Sequence, residues 1–500
     1  MNEKNILKRK HGLFVSVCFV VGFLVGTGVF FLPGRVLYEV GGNVPLGTAA
    51  WIIGGLMIAP CVYMFSVFAG KYEKIHGFVD YSEVIVGKKY GYLAGWFFAV
   101  MYQPAGYAII AWITSGFTAT VAGISNTDEN YLPFRFFITA FFMVATFFLN
   151  YFAPKIPVKL NVATTLARMI PLILMGTVGV ISGLVTAEIN GTIDVEATVS
   201  GRPLSELHAL TTENASLFAA ISATAFAFNG WQAALAFNSE VKDSKRKFPI
   251  ALMLGFGLIV IIYVLYFIGV TTASKESALQ MMKGGGANFA SGTHMAFNSV
   301  FGRVGGVLVG FMIISGLGIL NACCLGMSRA MYALGRRGLG PIPDRMTELD
   351  QTTNVPNNSM VMAVGISFLW LFVIFANTNG WFGAFSFSLP DFYNFSFFAL
   401  LIPIFICYIV RGGQGDGSSV SPTNAVSSAR QMNRPPVLKR FLIPTIAAVC
   451  AGFMFTTYWL GSFVHATVYT ITFIVLALIG FVFYRRSVYN VKTSVKQNKD

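Results

Sequence analysis

Charge is what this chain has least of. Only 11% of its 500 residues are Asp, Glu, Lys or Arg, against about 25% in soluble domains, and that excludes a soluble globular protein. Its five histidines (His11, His76, His208, His294 and His465) are scattered. They form neither an HExxH pair nor a zinc-type cluster, so no metal is expected. The six cysteines all fall inside apolar runs, with no disulfide framework and no metal-ligand spacing, which is the pattern of buried thiols. No GxxxxGK loop is present, which argues against direct ATP drive, and no GxSxG elbow either. A membrane-embedded enzyme would need paired polar catalysts, and Arg168 reads as the only charged residue at depth. No catalytic residue and no cofactor are expected.

What is present is apolar. Hydrophobic residues make up 55% of the chain and the mean hydropathy is +0.66. Twelve runs are long enough to cross a bilayer as helices: 13–37, 46–69, 91–122, 133–152, 160–186, 215–238, 249–273, 303–333, 359–377, 383–410, 440–462 and 466–484. The first follows Lys8-Arg9-Lys10, yet it is longer than a signal-peptide core and shows no small-residue cleavage site. The net charge of +14 sorts by loop. One side takes the chain ends and the loops with Lys71 to Lys89, Lys155 and Lys159, Lys242 to Lys247, and Arg329 to Arg345. The other takes few basic residues and an acidic loop, 187–214. This is the positive-inside pattern, placing both termini in the cytoplasm, and it excludes a nucleic-acid footprint.

The first span contains Val25-Gly26-Thr27-Gly28-Val29-Phe30 near its centre. Each Gly costs about 1 kcal/mol relative to Ala inside a helix. The stretch reads either as close helix packing or as an unwound segment lining a cavity. Span six contains Ala225-Phe226-Ala227-Phe228-Asn229-Gly230-Trp231-Gln232, with the turn dipeptide Asn-Gly at mid-span. Spans one and six each open a run of five, and five is odd, so the second set is inverted relative to the first. Matching interruptions in two inverted halves point to a transporter binding site. The unwound reading therefore prevails.

Elsewhere, Tyr102-Gln103-Pro104 puts a proline kink and two polar side chains into span three, serving either packing or a site. Arg168 lies about a third of the way into span five, where a guanidinium either snorkels to the interface or holds a functional position. Arg35 and Glu39 are spaced as an i,i+4 ion pair. Residues 274–300, with Gly284-Gly285-Gly286, suggest a mobile lid. The expected organisation is a tail (1–12), a core (13–410) made of repeats 13–186 and 215–410, a polar linker (411–439), two further helices (440–486) and a tail (487–500). Spans eleven and twelve fall outside the repeat, where they support the bundle or form contacts in a homodimer.

Three motifs resemble the amino acid–polyamine–organocation superfamily of permeases. They are Gly26-Thr27-Gly28-Val29-Phe30; Phe226-Ala227-Phe228-Asn229-Gly230-Trp231 followed by Ser239-Glu240-Val241-Lys242; and Asn321 with Ser328-Arg329-Ala330-Met331-Tyr332. Within the superfamily the chain most resembles the L-type amino acid transporter and bacterial serine/threonine exchanger branch, strongly over residues 10–410. The resemblance implies an all-α membrane protein with the LeuT-like five-plus-five inverted repeat, broken helices one and six, and alternating access. It implies an amino acid substrate, with the carboxylate near Gly26, Thr27 and Gly28 and the ammonium near Phe226, Ala227 and Asn229. Phe226 matches an aromatic gate, while Phe228, Tyr102, Gln103 and Gln232 complete the gate and pocket. Arg168 matches a lysine that stands where sodium sits in distant relatives, implying sodium-independent exchange or uniport. Gln232 replaces a glutamate of acid-resistance antiporters, and no acidic residue lies in spans one, three, six or eight. A neutral substrate follows. A proton-coupled symporter and an antiporter of an amino acid against its amine product are the alternatives.

Overall fold

The computed structural model describes residues 12–71, 77–190, 216–235, 241, 243–351, 353, 355–412 and 438–497. The N-terminal tail to residue 11, His76, most of the acidic loop 187–214, Ser239, Glu240 and Lys242, most of the 411–439 linker and residues 498–500 lie outside them. The described residues are helical, apart from short turns and links. Among the described residues, ten helices are long and apolar enough to cross a membrane. Two broken helices complete the expected twelve.

The first span is α1 (Leu13–Leu24) and α2 (Gly28–Glu39). It continues through α3 (Val44–Lys71), α4 (Phe78–Val86), α5 (Lys88–Phe97) and α6 (Gln103–Val121). Helices α7 (Tyr131–Phe152), α8 (Lys155–Leu174) and α9 (Val180–Asn190) complete the first half. The sixth span is α10 (Leu217–Thr224) and the single turn α11 (Trp231–Ala234). After it come α12 (Ser244–Thr272), α13 (Lys275–Met282), α14 (Phe289–Phe301), α15 (Val304–Arg336), α16 (Pro343–Met346), α17 (Asn357–Thr378) and α18 (Leu389–Val410). The last two spans are α19 (Ile443–Gly461) and α20 (Phe463–Gln497), the latter running through most of the expected C-terminal tail. Twelve crossings put both chain ends on one face, here the terminal face; the opposite one is the far face.

The kink in span three has a definite form. A π-helical turn, Phe98–Tyr102, joins α5 to α6 and delivers Pro104 into the first turn of α6. Proline has no N–H for the carbonyl four residues back and its ring crowds that oxygen, so the wider turn relieves the clash. The carbonyl concerned is Val100 O, and it accepts a hydrogen bond from Trp370 Nε1 of α17 at 3.1 Å.

Residues 274–300 hold two ordered helices on the far face. Met281 and Phe289 are buried there, and the Met281 carbonyl packs against Gly34 of α2. Ser216 N, at the start of α10, donates to Glu39 O, at the end of α2, at 2.8 Å.

Candidate functional site

The two interruptions meet. Helix α1 ends where Val25 turns extended (φ −70°, ψ 99°). Helix α2 restarts at Gly28, and Thr27 supplies no side-chain cap. In span six the helix lapses into turns over residues 225–230, and Gly230 takes φ +118°. That region favours glycine, so the Asn-Gly pair is what permits this path. A Cβ placed on Gly28 would lie 2.8 Å from Ala227 Cα and 3.1 Å from Phe226 Cδ1. The backbones of the two breaks are therefore in contact, and only glycine fits at position 28.

Electrostatics follow from the half-helices. The N-terminus of α2 presents N–H groups and positive potential to the break, while the C-terminus of α10 presents carbonyls and negative potential. An anion and a cation held on one carbon atom would find matching ends here. Thr27 Oγ1 is buried beside them without a hydrogen-bond partner.

An aromatic chain lies on the far-face side of the break. Phe226 packs edge-on to Phe31 at 5.6 Å and lies 5.4 Å from Tyr393 of α18. Tyr393 stacks on Tyr102 at 4.0 Å. Gln232 accepts from Gly230 N at 2.9 Å and donates to Asn229 Oδ1 at 3.3 Å. Asn229 Nδ2 in turn donates to Asn394 Oδ1 of α18. Gln103 lies against Gly326 of α15. Phe228, expected in the gate and pocket, is placed elsewhere. Its ring is fully buried and packs against Trp51, Phe256 and Tyr263. The bend after α10 sends Phe226 and Phe228 to opposite sides.

Arg168 is 3% exposed. Its Nη1 donates to Val25 O at 2.6 Å, and its Nη2 to Thr165 Oγ1 at 2.6 Å. Tyr263 OH donates to Leu24 O at 3.1 Å. The guanidinium thus sits on the carbonyl end of α1, where a bound cation would otherwise complement the helix dipole. It does not snorkel to the interface.

The expectation that Arg168 is the only charge at depth needs correction. Arg35 makes a two-pronged bridge to Asp391 of α18, Nη1 to Oδ1 at 2.9 Å and Nη2 to Oδ2 at 2.6 Å. Its pairing with Glu39, expected from spacing, is longer, at 3.7 Å. Arg135 of α7 is also buried, at 4% exposure. On the terminal face Arg337 bridges Asp80 at 2.5 Å and Glu83 at 3.3 Å. The polar run Asp391, Asn394 and Ser396 at the head of an apolar span is the sequence feature that would have pointed to α18. Because Asp391 is neutralised by Arg35, the breaks still carry no unpaired carboxylate among the described residues.

Paired helix breaks facing one another across inverted halves define a secondary transporter of the LeuT-like fold. A solved structure, MhsT in complex with L-phenylalanine, matches 89% of this chain and 98% of its own, with a TM-score of 0.51 and 16% identity. The family model described as "Amino acid permease" matches residues 12–484. The chain belongs to the amino acid permease family and is an amino acid transporter. It is 24% identical to the serine/threonine exchanger SteT of Bacillus subtilis, over 80% of this chain and 84% of that one. The glutamate/serine transporter AimA of the same organism is 23% identical, over 75% and 67%. The b(0,+)-type amino acid transporter 1 of Oryctolagus cuniculus is 22% identical, over 66% of this chain and 64% of its own length.

Proposed function

We propose that the protein carries neutral amino acids across the plasma membrane by sodium-independent exchange or uniport, with both termini cytoplasmic and the far face outside. The observation that carries this reading is the contact between Gly28 and Ala227 at the paired breaks, with no unpaired carboxylate beside it among the described residues. The N–H groups at Gly26, Thr27 and Gly28 receive the α-carboxylate, and Thr27 Oγ1 gives it a further partner. The carbonyls around Phe226, Ala227 and Asn229 receive the ammonium. Phe226, backed by Tyr393 and Tyr102, closes over the substrate from the far side, and Gln232 holds Asn229 in place. Tyr102 and Gln103 border the side-chain pocket. Alternating access then consists in opening one end of this site while the other stays closed.

Sodium independence rests on Arg168. Its guanidinium occupies the carbonyl end of α1, supplying there the charge a metal cation would bring. A guanidinium stays protonated at all physiological pH values, so it does not act as a proton carrier. No catalytic residue has a place in this scheme.

Counterflow tests the proposal. Proteoliposomes preloaded with each of the twenty amino acids are given a labelled one outside. Trans-stimulation by neutral amino acids, unchanged when choline replaces sodium, is expected. Saturable uptake without trans-stimulation would identify uniport. Dependence on sodium or on an imposed pH gradient would overturn the coupling assigned here, and stimulation confined to cationic amino acids would overturn the substrate class.

A further inference from the structure

Arg135 is a buried charge that the transport site does not use. It sits on α7 near the far face, and its guanidinium lies 4.1 Å above the centre of the Trp112 ring and 5.4 Å from that of Tyr131. Its Nη2 donates to Trp112 O at 2.8 Å. Its Nε is buried with no hydrogen-bond partner. Among the described residues Arg135 forms no ion pair. Buried cations are ordinarily neutralised by a carboxylate, because an unmatched charge away from water is costly. Ring faces and one carbonyl offset only part of that.

A pocket opens on the far face and shares Tyr131 with the surroundings of Arg135, which does not itself line it. It is lined by Thr120, Ser125, Asn126, Asn288, Ser291 and His294 among others, with Tyr131 on its wall. Beside Gly123 and Ile124 the lining is hydroxyls, amides and one imidazole, with no carboxylate. Arg135 lies one helical turn below Tyr131. A Cβ on Gly116, one turn below Thr120, would lie 3.3 Å from Arg135 Nη2 and 3.2 Å from Phe289 Cζ. Two helices also begin here: α7 at Tyr131 and α14 at Phe289, neither with a side-chain cap. Both direct the positive end of their dipoles toward the pocket. Asp128 and Glu129 lie on the adjoining loop, and Asp128 Oδ1 accepts from Asn130 N at 2.8 Å; neither lines the pocket.

We infer that this pocket is a second binding site, distinct from the helix breaks, for a small oxyanion (a carboxylate or a phosphate group), with Arg135 supplying the charge beneath it. The polar lining hydrogen-bonds the oxygens, and Tyr131 separates the guanidinium from bulk water. A free amino acid's carboxylate and a lipid headgroup's phosphate share this chemistry.

The stacking of Arg135 on Trp112 provides the readout. Full-length protein carrying Gly28→Leu, which removes the central site from consideration, is placed in phosphatidylcholine nanodiscs. Tryptophan fluorescence is then followed against acetate, glycine and inorganic phosphate, with Trp112→Phe as the reporter control. A saturable response lost in Trp112→Phe is expected, its half-saturation raised about tenfold by Arg135→Gln. Ser291→Phe, which fills the pocket and leaves Arg135 in place, is expected to abolish it. A response to acetate and glycine assigns a carboxylate ligand. A response that comes only when phosphatidylglycerol replaces part of the lipid assigns a headgroup phosphate. No saturable response in any arm, or one unaffected by both Arg135→Gln and Ser291→Phe, overturns the inference.

Discussion

Arg35 and Asp391, 356 residues apart, grip each other with both prongs of the guanidinium and both carboxylate oxygens. The bridge ties α2 to α18, and Asp391 is 6% exposed. Removing one partner of a buried pair costs about 2–5 kcal/mol, and without Asp391 the Arg35 guanidinium keeps only the longer contact to Glu39. Asp391→Asn should therefore lower the thermal stability of the detergent-solubilised protein and slow exchange, while Arg35→Lys, keeping charge but losing the fork, should show a smaller effect. Equal exchange rates in wild type and Asp391→Asn would show that the bridge plays no part in transport.

Position 28 admits no side chain. A single methyl would lie 2.8 Å from Ala227 Cα, a backbone atom that cannot swing aside. Gly28→Ala should cut counterflow severely, and Gly28→Leu should abolish it with the protein still monodisperse in gel filtration. Transport by Gly28→Leu would reduce this contact to packing.

Arg168 offers a graded test. Arg168→Met removes the bonds that Arg168 gives to Val25 O and Thr165 Oγ1, a loss of about 1.5–3 kcal/mol for bonds to a charged group. Transport should vanish. Arg168→Lys should retain part of it, because an ammonium still satisfies the carbonyl. It should also introduce a pH dependence that wild type lacks, since lysine can lose its proton when buried and arginine does not. Uptake measured between pH 5 and pH 9 checks this.

The Arg337 bridge to Asp80 and Glu83 should matter far less to stability. Their side chains are 28%, 40% and 25% exposed, and solvent screening reduces such pairs to about 0–1 kcal/mol. Arg337→Ala should leave the melting temperature within about 2 °C of wild type. A larger fall would mean that this contact anchors α4 rather than decorating it.

The two helix breaks were legible because glycine at mid-span violates a local rule, and local rules can be read along a chain. The twelve crossings were legible for the same reason, as ten unbroken helices and two divided ones. Asp391, Tyr393 and Asn394 were not singled out, although polar residues at the head of span ten marked it. Their partners Arg35, Tyr102 and Asn229 lie more than 150 residues away, and composition carries no record of such pairings. Phe228 escaped for the opposite reason. Two residues from Phe226, it belongs to the same motif, but the bend between them sends its ring behind the break. Residues 274–300 suggest a lid through three glycines and a short amphipathic piece, and neither signal says what Met281 and Phe289 bury against.

The hydrogen bond from Ser216 N to Glu39 O joins the far ends of α2 and α10. These two half-helices come from opposite repeats, yet they run antiparallel side by side, touching at the breaks and bonded at their far ends. The bond couples their far ends, so a roof that moved about residues 25–27 and 225–230 would carry both half-helices together. A ligand gripping either pivot would move the whole roof in one stroke.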